Sequence, residues 1–367
     1  MKSSLLRIFF VLIICSIFPG LISQASKYLP ISEADKYRVT FGESYVDFLP
    51  GSLLRIEVIF RNNTANNLQV SQELAVLDST NTKVWRTIIN LSLAPEDSST
   101  IQLMVPVPKF PGCYTLTPGK TSDQSSGIFT RHIFNVIQPK RSPRLEKILV
   151  HTPDSEVALT AFLKTWNIKA PTFSWAQVLL CGKTSWRRFA AGDQQITQLI
   201  SRALRREMSV IFLDFGPIES PGISESPVVL PFGPTVRFMQ VKLPGTSFVL
   251  KSGLRELSYS LASGTITKWN GLDGITVPPV EMQFEGKEVK ISALATAGGS
   301  PVRYPLVEMI PQKGKGKVYL CQLITEGRLD EELQQPRYKP QVSAYDPCAV
   351  QLLLNLISAS VGDNLLK

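Results

Sequence analysis

The sequence predicts an α/β plus all-β chain: an all-β sandwich over residues 37–138, then an α/β unit with a mostly parallel sheet over residues 145–360. Three observations predict it. Between Tyr37 and Ile137, short β-rich runs recur with Asn-, Gly- and Pro-rich turns between them. After Leu145 the apolar period changes, and strands alternate with helical segments. Between the two lies Pro139 to Pro143 (PKRSP), polar with proline at both ends, so residues 139–144 are the expected linker.

Each element follows from its local pattern. Residues 53–60 (LLRIEVIF) alternate apolar and polar for part of their length, as a half-buried strand does. The run Asn62 to Asn67 (NNTANN) is a turn, and residues 68–77 are the next strand. Residues 84–91, 100–105, 112–117 and 128–137 supply further strands, with turns at 78–82 and a Pro-rich bend before Gly112. In the second unit, residues 145–150 (LEKILV) are expected as a strand. Residues 155–166 are a helix whose apolar face is Val157, Leu159, Phe162, Leu163 and Trp166. A strand over 176–180 runs into Cys181-Gly182. A helix over 194–207 turns Ile196, Leu199, Ile200, Ala203 and Leu204 inward and Arg202, Arg205 and Arg206 outward. Residues 209–215 are a buried strand, so the order predicts a parallel sheet with right-handed crossovers. Residues 280–284 and 288–295 resume β character. Residues 306–310 and 317–323, joined by a Gly/Lys turn, form a hairpin. Asp346 then caps a final helix, with Pro347 at its first position, where a missing N–H does no harm.

The N-terminus reads as a signal peptide over residues 1–25. Lys2 and Arg7 precede an apolar run over 8–18 that is too short to span a membrane comfortably, and Ser23-Gln24-Ala25 offers a cleavage site. The expected setting is export, periplasmic or secreted, with an uncleaved anchor as the alternative and no transmembrane helix after cleavage. The formal charge is +9, but the basic residues are scattered and form no aromatic-interleaved stripe. That charge reads as solubility and attraction to an anionic envelope surface, and nucleic acid is not the expected partner. Beyond the signal lie Cys113, Cys181, Cys321 and Cys348, whose spacing gives no disulfide framework. Buried free thiols are expected, with a Cys181–Cys321 bridge as the alternative.

Several motifs carry a family resemblance. In the first unit they are VIFRNNTANNL, residues 74–85, and LMVPVPKFPGCYTL. In the second they are VLLCG (178–182), SVIFLDFG (209–216), LPF (230–232), Gly253-Leu254, KWNG (268–271), GKGKVYLCQL (314–323) and DPCAVQLLLNLI (346–357). In this order they resemble the accessory region that follows the catalytic barrel in some bacterial family 2 glycoside hydrolases and related β-galactosidase-like proteins. That region pairs an immunoglobulin-like sandwich with a class I glutamine amidotransferase-like domain of flavodoxin-like fold. The resemblance implies this fold and a setting in carbohydrate processing outside the cytoplasm. It does not imply hydrolase activity, because the sugar-cleaving barrel and its paired carboxylates are absent.

The residues supply no set able to do that fold's chemistry. An amidotransferase needs a nucleophilic Cys on a sharp strand-to-helix turn and a His–acid pair to activate it. The equivalent turn reads Asp214-Phe215-Gly216-Pro217, with no Cys or Ser, and the histidines are His132 and His151. Neither a metal nor a cofactor is expected, since no cluster of three or four donors and no Gly-rich phosphate loop stands in the sequence. Asp330-Glu331-Glu332 reads as a solvated turn. Sugar binding needs exposed aromatic rings, and Trp166, Trp175, Trp186 and Trp269 all fall in the second unit, each with core packing as its plainer role. If a cleft exists, its expected residues are Lys183, Trp186, Asp214 and Trp269. The expected function is that of an exported, non-catalytic accessory or binding protein that takes a protein partner or a glycan. One alternative is a glycoside hydrolase or a subunit of one, with Asp214 and Glu219 as its carboxylates. Another is a structural envelope protein that assembles with copies of itself.

Overall fold

The computed structural model describes residues 36–42, 46–119, 128–217, 227–230, 234–241, 245–251, 255–261, 266–267, 269, 277–286, 289–297, 302–311, 316–329 and 345–361. The expected signal peptide, Glu219, the 330–332 carboxylates and most of KWNG lie outside them. The chain is sheet-rich, with several sheets and, among the described residues, four α-helices.

Among the described residues of the first unit the regular elements are strands: β1 (Tyr37–Phe41), β2 (Asp47–Phe48), β3 (Leu53–Asn62), β4 (Leu68–Leu77), β5 (Lys83–Leu93), β6 (Ser98–Pro106), β7 (Gly112–Pro118), β8 (Ile128–Phe129) and β9 (His132–Val136). They form two sheets, ordered β6-β3-β1-β8 and β2-β9-β7-β4-β5. The alternation read from the sequence is strict in β3, where Leu54, Ile56, Val58 and Phe60 enter the core shared by both sheets. The Asn-rich turn closes on a buried side chain. Asn62 Oδ1 accepts from Thr64 N at 2.9 Å, and Asn62 Nδ2 donates to the carbonyls of Asn66 and Ala94 at 2.8 Å each.

The second unit departs from expectation at its start. Pro143–Lys147 is a 3-10 turn that buries Leu145, and only β10 (Val150–His151) is strand. Then come α1 (Val157–Thr165), β11 (Val178–Cys181), α2 (Lys183–Ala190), α3 (Gln194–Arg205) and β12 (Ser209–Phe212). Val157, expected on the apolar face of its helix, is exposed. The remaining strands are β13 (Val228–Val229), β14 (Thr235–Gln240), β15 (Phe248–Leu250), β16 (Ile266–Thr267), β17 (Val280–Glu285), β18 (Val289–Ala297), β19 (Arg303–Pro311) and β20 (Val318–Cys321); α4 (Pro347–Ser360) follows.

The expected mostly parallel sheet is a mixed one. Its eight strands run β10-β11-β12-β20-β19-β18-β15-β16, and only the first three pairings are parallel. The physical reason is the hairpin: β19 folds back on β20, and β18 and β15 continue that antiparallel ladder. β13, β14 and β17 form a separate antiparallel sheet. Side chains alternate between the two faces of the main sheet. Leu180 faces a core with α1 and α4, while Leu179 and Cys181 face a core with α2 and α3. Cys181 and Cys321 therefore lie on opposite faces, with β12 between their strands. Two strand spacings come to about 10 Å, beyond the Cα reach of a disulfide. All four described cysteines are free thiols, Cys113 exposed and the other three buried. We expect peptide mapping after brief treatment with a thiol reagent to find Cys113 labelled, and Cys181, Cys321 and Cys348 labelled only after unfolding.

Helix α4 is capped as read, with Asp346 Oδ1 accepting from Ala349 N at 2.9 Å. It is buried on nearly every side, so its polar residues need partners. Asn355 Nδ2 donates to the carbonyls of Leu257 and Tyr259 at 2.8 Å. The expected linker is held against it: Lys140 N donates to Gln351 Oε1 at 2.6 Å, and the Ser142 and Ser358 hydroxyls meet at 2.8 Å. The first unit also touches α4. Asp47 in β2 and Asp346 are both buried, and their carboxyl groups hydrogen-bond one another. Burial first, then the charge of Asp346, holds the Asp47 carboxyl well above the usual carboxylate range.

Candidate functional site

In open α/β sheets the ligand crevice lies beyond the carboxyl ends of the strands, where the strand order reverses. Here the reversal is at β10. A parallel bridge, Leu149 to Lys169, lies on one side of β10, and β11 lies on the other. The helices divide accordingly, α1 on one face and α2 and α3 on the opposite face. By that rule a ligand would approach between Thr152 and Gly182, at the start of α2.

That start is already filled. Gly182, the N-cap, has no side chain with which to cap α2. Glu156, just before α1 and buried, takes the role: its Oε1 accepts from Ser185 N at 2.6 Å. A Cβ at Gly182 would run into Glu156 Oε2, so a larger residue here would require that carboxylate to move. The positive end of α2, where an anionic ligand would bind, is met by the chain's own carboxylate. Ser185 Oγ is buried beside it and has no hydrogen-bond partner among the described residues.

Asp214 lies just beyond the carboxyl end of β12, the strand paired with β11. It follows β12 with φ +52°, the left-handed conformation of a sharp strand-end turn. Its Oδ1 accepts from Thr325 N at 2.6 Å and Glu326 N at 3.3 Å, and its Oδ2 accepts from Thr325 Oγ1 at 2.6 Å. Burial raises its carboxyl pKa, opposed by these three hydrogen bonds. Lys183 Nζ meets Glu326 Oε2 at 2.5 Å on the surface. Such an exposed pair is worth little, so Lys183→Ala should change stability by less than about 1 kcal/mol in chemical denaturation.

The two tryptophans expected at a cleft are core residues. Trp186 is 1% exposed and packs among Phe189, Phe212, Phe215 and Phe238, its Nε1 donating to Gly216 O at 2.6 Å. Trp269, also 1% exposed, lies in the other core, edge-on to Phe248 and beneath the Arg328 guanidinium at 5.6 Å. Neither offers a ring face to a sugar. The structure thus links Lys183, Trp186 and Asp214 through Glu326, Thr325 and Gly216, and it sets Trp269 apart. His151, the last residue of β10, has its Nδ1 3.3 Å from Pro171 O and its ring edge-on to Phe173.

Sequence reasoning missed Glu156 and Thr325. Nothing near either in the chain marks its partner, which the fold brings from 29 and 111 residues away respectively. It also missed α2, although Trp186 and Phe189 stand at helical spacing behind a glycine cap. Among the described residues, one group gathers metal-type ligand atoms: Asp47, Asp346 and Cys348, within 4.8 Å of one another. Asp346 also caps α4, has Arg328 nearby, and lies against the Asp47 carboxyl.

No family model matches the sequence, and the search of curated proteins returns no match. Among solved structures, a β-glucosidase from Listeria innocua is 14% identical over 27% of this chain and 16% of that chain, with a TM-score of 0.23. A CARDB domain from Pyrococcus furiosus is 14% identical over 28% of this chain and 94% of that one, with a TM-score of 0.23. An alkylpurine DNA glycosylase from Pseudomonas fluorescens is 8% identical over 28% and 31%, with a TM-score of 0.22. The chain spans only 16% of the glucosidase's length, and likenesses this slight carry no argument about function.

Proposed function

We propose that this chain is an exported, non-catalytic accessory or binding protein, built from an immunoglobulin-like sandwich and an amidotransferase-like α/β unit, whose partner is a protein or a glycan. The observation that carries the reading is Glu156, whose carboxylate occupies the start of α2 at the strand-order reversal, where such a fold would receive its ligand. Asp214 supports it. On the amidotransferase-like reading its strand-end turn corresponds to the one that holds the nucleophile, and both of its oxygens accept hydrogen bonds from the 325–326 segment. Strand order about β10, with helices on both faces, supports the fold assignment.

The test is a pull-down from the native envelope with the tagged full chain, together with an assay of aryl-glycoside turnover. We expect a reproducible partner or glycan and no turnover. Turnover by the wild type that disappears in Asp214→Asn would overturn the reading in favour of a glycosidase.

A further inference from the structure

Of the tryptophans among the described residues, Trp175 alone stands in solvent, 73% exposed. It ends the 3-10 turn Phe173–Trp175, which leads from the Lys169 bridge into β11. The turn is braced. Trp175 N donates to Thr172 O at 3.1 Å, the Thr172 and Ser174 hydroxyls meet at 3.0 Å, and the Arg206 guanidinium donates to Ser174 O. Arg202 and Arg206 lie over the Phe173 ring, 5.6 and 5.7 Å from its centroid. Together with Arg205 they occupy one face at the end of α3, exposed, and they join no ion pair among the described residues.

Three like charges at helical spacing repel one another, and the helix dipole offsets only part of that. An anion placed on them would remove the rest. Arg206 already gives one N–H to Ser174 O, so the donors left to a carboxylate are its remaining N–H groups and those of Arg202 and Arg205. The exposed indole of Trp175, on the turn that Arg206 braces, offers a flat apolar face of the size of a sugar ring. We propose that Trp175, Arg202, Arg205 and Arg206 form a binding surface for a carboxylate-bearing polysaccharide, the indole stacking on a sugar ring and the arginines holding its acid group. This rests on the binding-protein reading above and gives it a site and a ligand class. A membrane-inserting patch would need contiguous apolar surface, whereas hydroxyls and guanidinium groups flank this ring. Single-stranded nucleic acid would need a row of rings for successive bases.

The experiment is affinity electrophoresis and calorimetry of the full chain with polygalacturonate, neutral dextran, phosphatidylglycerol vesicles and single-stranded DNA. We expect binding to polygalacturonate alone. Trp175→Ala should weaken it at least tenfold. The charge-conserving double variant R202K/R206K should weaken it several-fold through loss of those guanidinium N–H groups, and Arg86→Gln in the sandwich should leave it unchanged. Circular dichroism should show all variants folded, since each residue is exposed. No binding to polygalacturonate, binding unaffected by Trp175→Ala or by R202K/R206K, or a preference for vesicles or DNA would each overturn the proposal. An envelope partner retained by Trp175→Ala would overturn this site and leave the binding reading standing. An empty wild-type pull-down would remove the reading itself.

Discussion

Replacing Asp47 with asparagine is expected to flatten the decline of stability with rising pH. In the folded chain the Asp47 carboxyl keeps its proton to a higher pH than in the unfolded chain, because it is buried against Asp346. Above the ordinary carboxylate range, unfolding therefore releases a proton, and stability falls as pH rises through the raised pKa. The introduced amide can keep the oxygen that Asn135 Nδ2 reaches at 2.8 Å and can donate to Asp346 without a titrating proton. The melting temperature of Asp47→Asn, followed by calorimetry from pH 5 to 9, should lose much of the slope and exceed the wild type at the alkaline end. Asp214, whose carboxyl is also raised by burial, contributes a slope of the same sign that this variant leaves in place. Parallel profiles for the two proteins would mean that the pair does not share a proton.

Glu156→Ala should lower stability by about 2–3 kcal/mol, the scale of losing a buried hydrogen bond to a charged group together with a helix cap. Ser185 N would lose its acceptor, and the space in front of Gly182 would open. Glu156→Gln retains an oxygen for Ser185 N and should cost less. The truncated protein should also recover part of its stability in millimolar sulfate, more than the wild type gains under the same conditions, because the bare start of α2 then accepts an external anion. Urea denaturation at matched ionic strength reads both effects. A loss below about 0.5 kcal/mol for the alanine variant would show that the carboxylate does not hold the helix start.

The elements visible in the sequence were those whose cause is local. Asp346-Pro347 marks a helix start, the Asn62 turn is closed by its own side chain, and the alternation in β3 names its buried residues. What was hidden depends on partners far along the chain. The second unit's sheet is mixed because β18 and β15 extend the hairpin, and no residue within β20 announces that. Trp186 and Trp269 looked available because each follows a turn-like segment, yet Phe215 and Phe238 cover one and Phe248 and Arg328 the other. Trp175 had the same local credentials and is the one left uncovered.

The position of β20 has a consequence for the order of events at synthesis. β12, an apolar strand over residues 209–212, receives its second neighbour only from residues 318–321, and the helix that covers that face comes later still, at 347–360. A chain emerging from the ribosome or a translocon therefore carries an open, greasy strand edge for roughly a hundred residues of elongation, the state most prone to pairing with the wrong chain. A holding chaperone would be most needed in that interval.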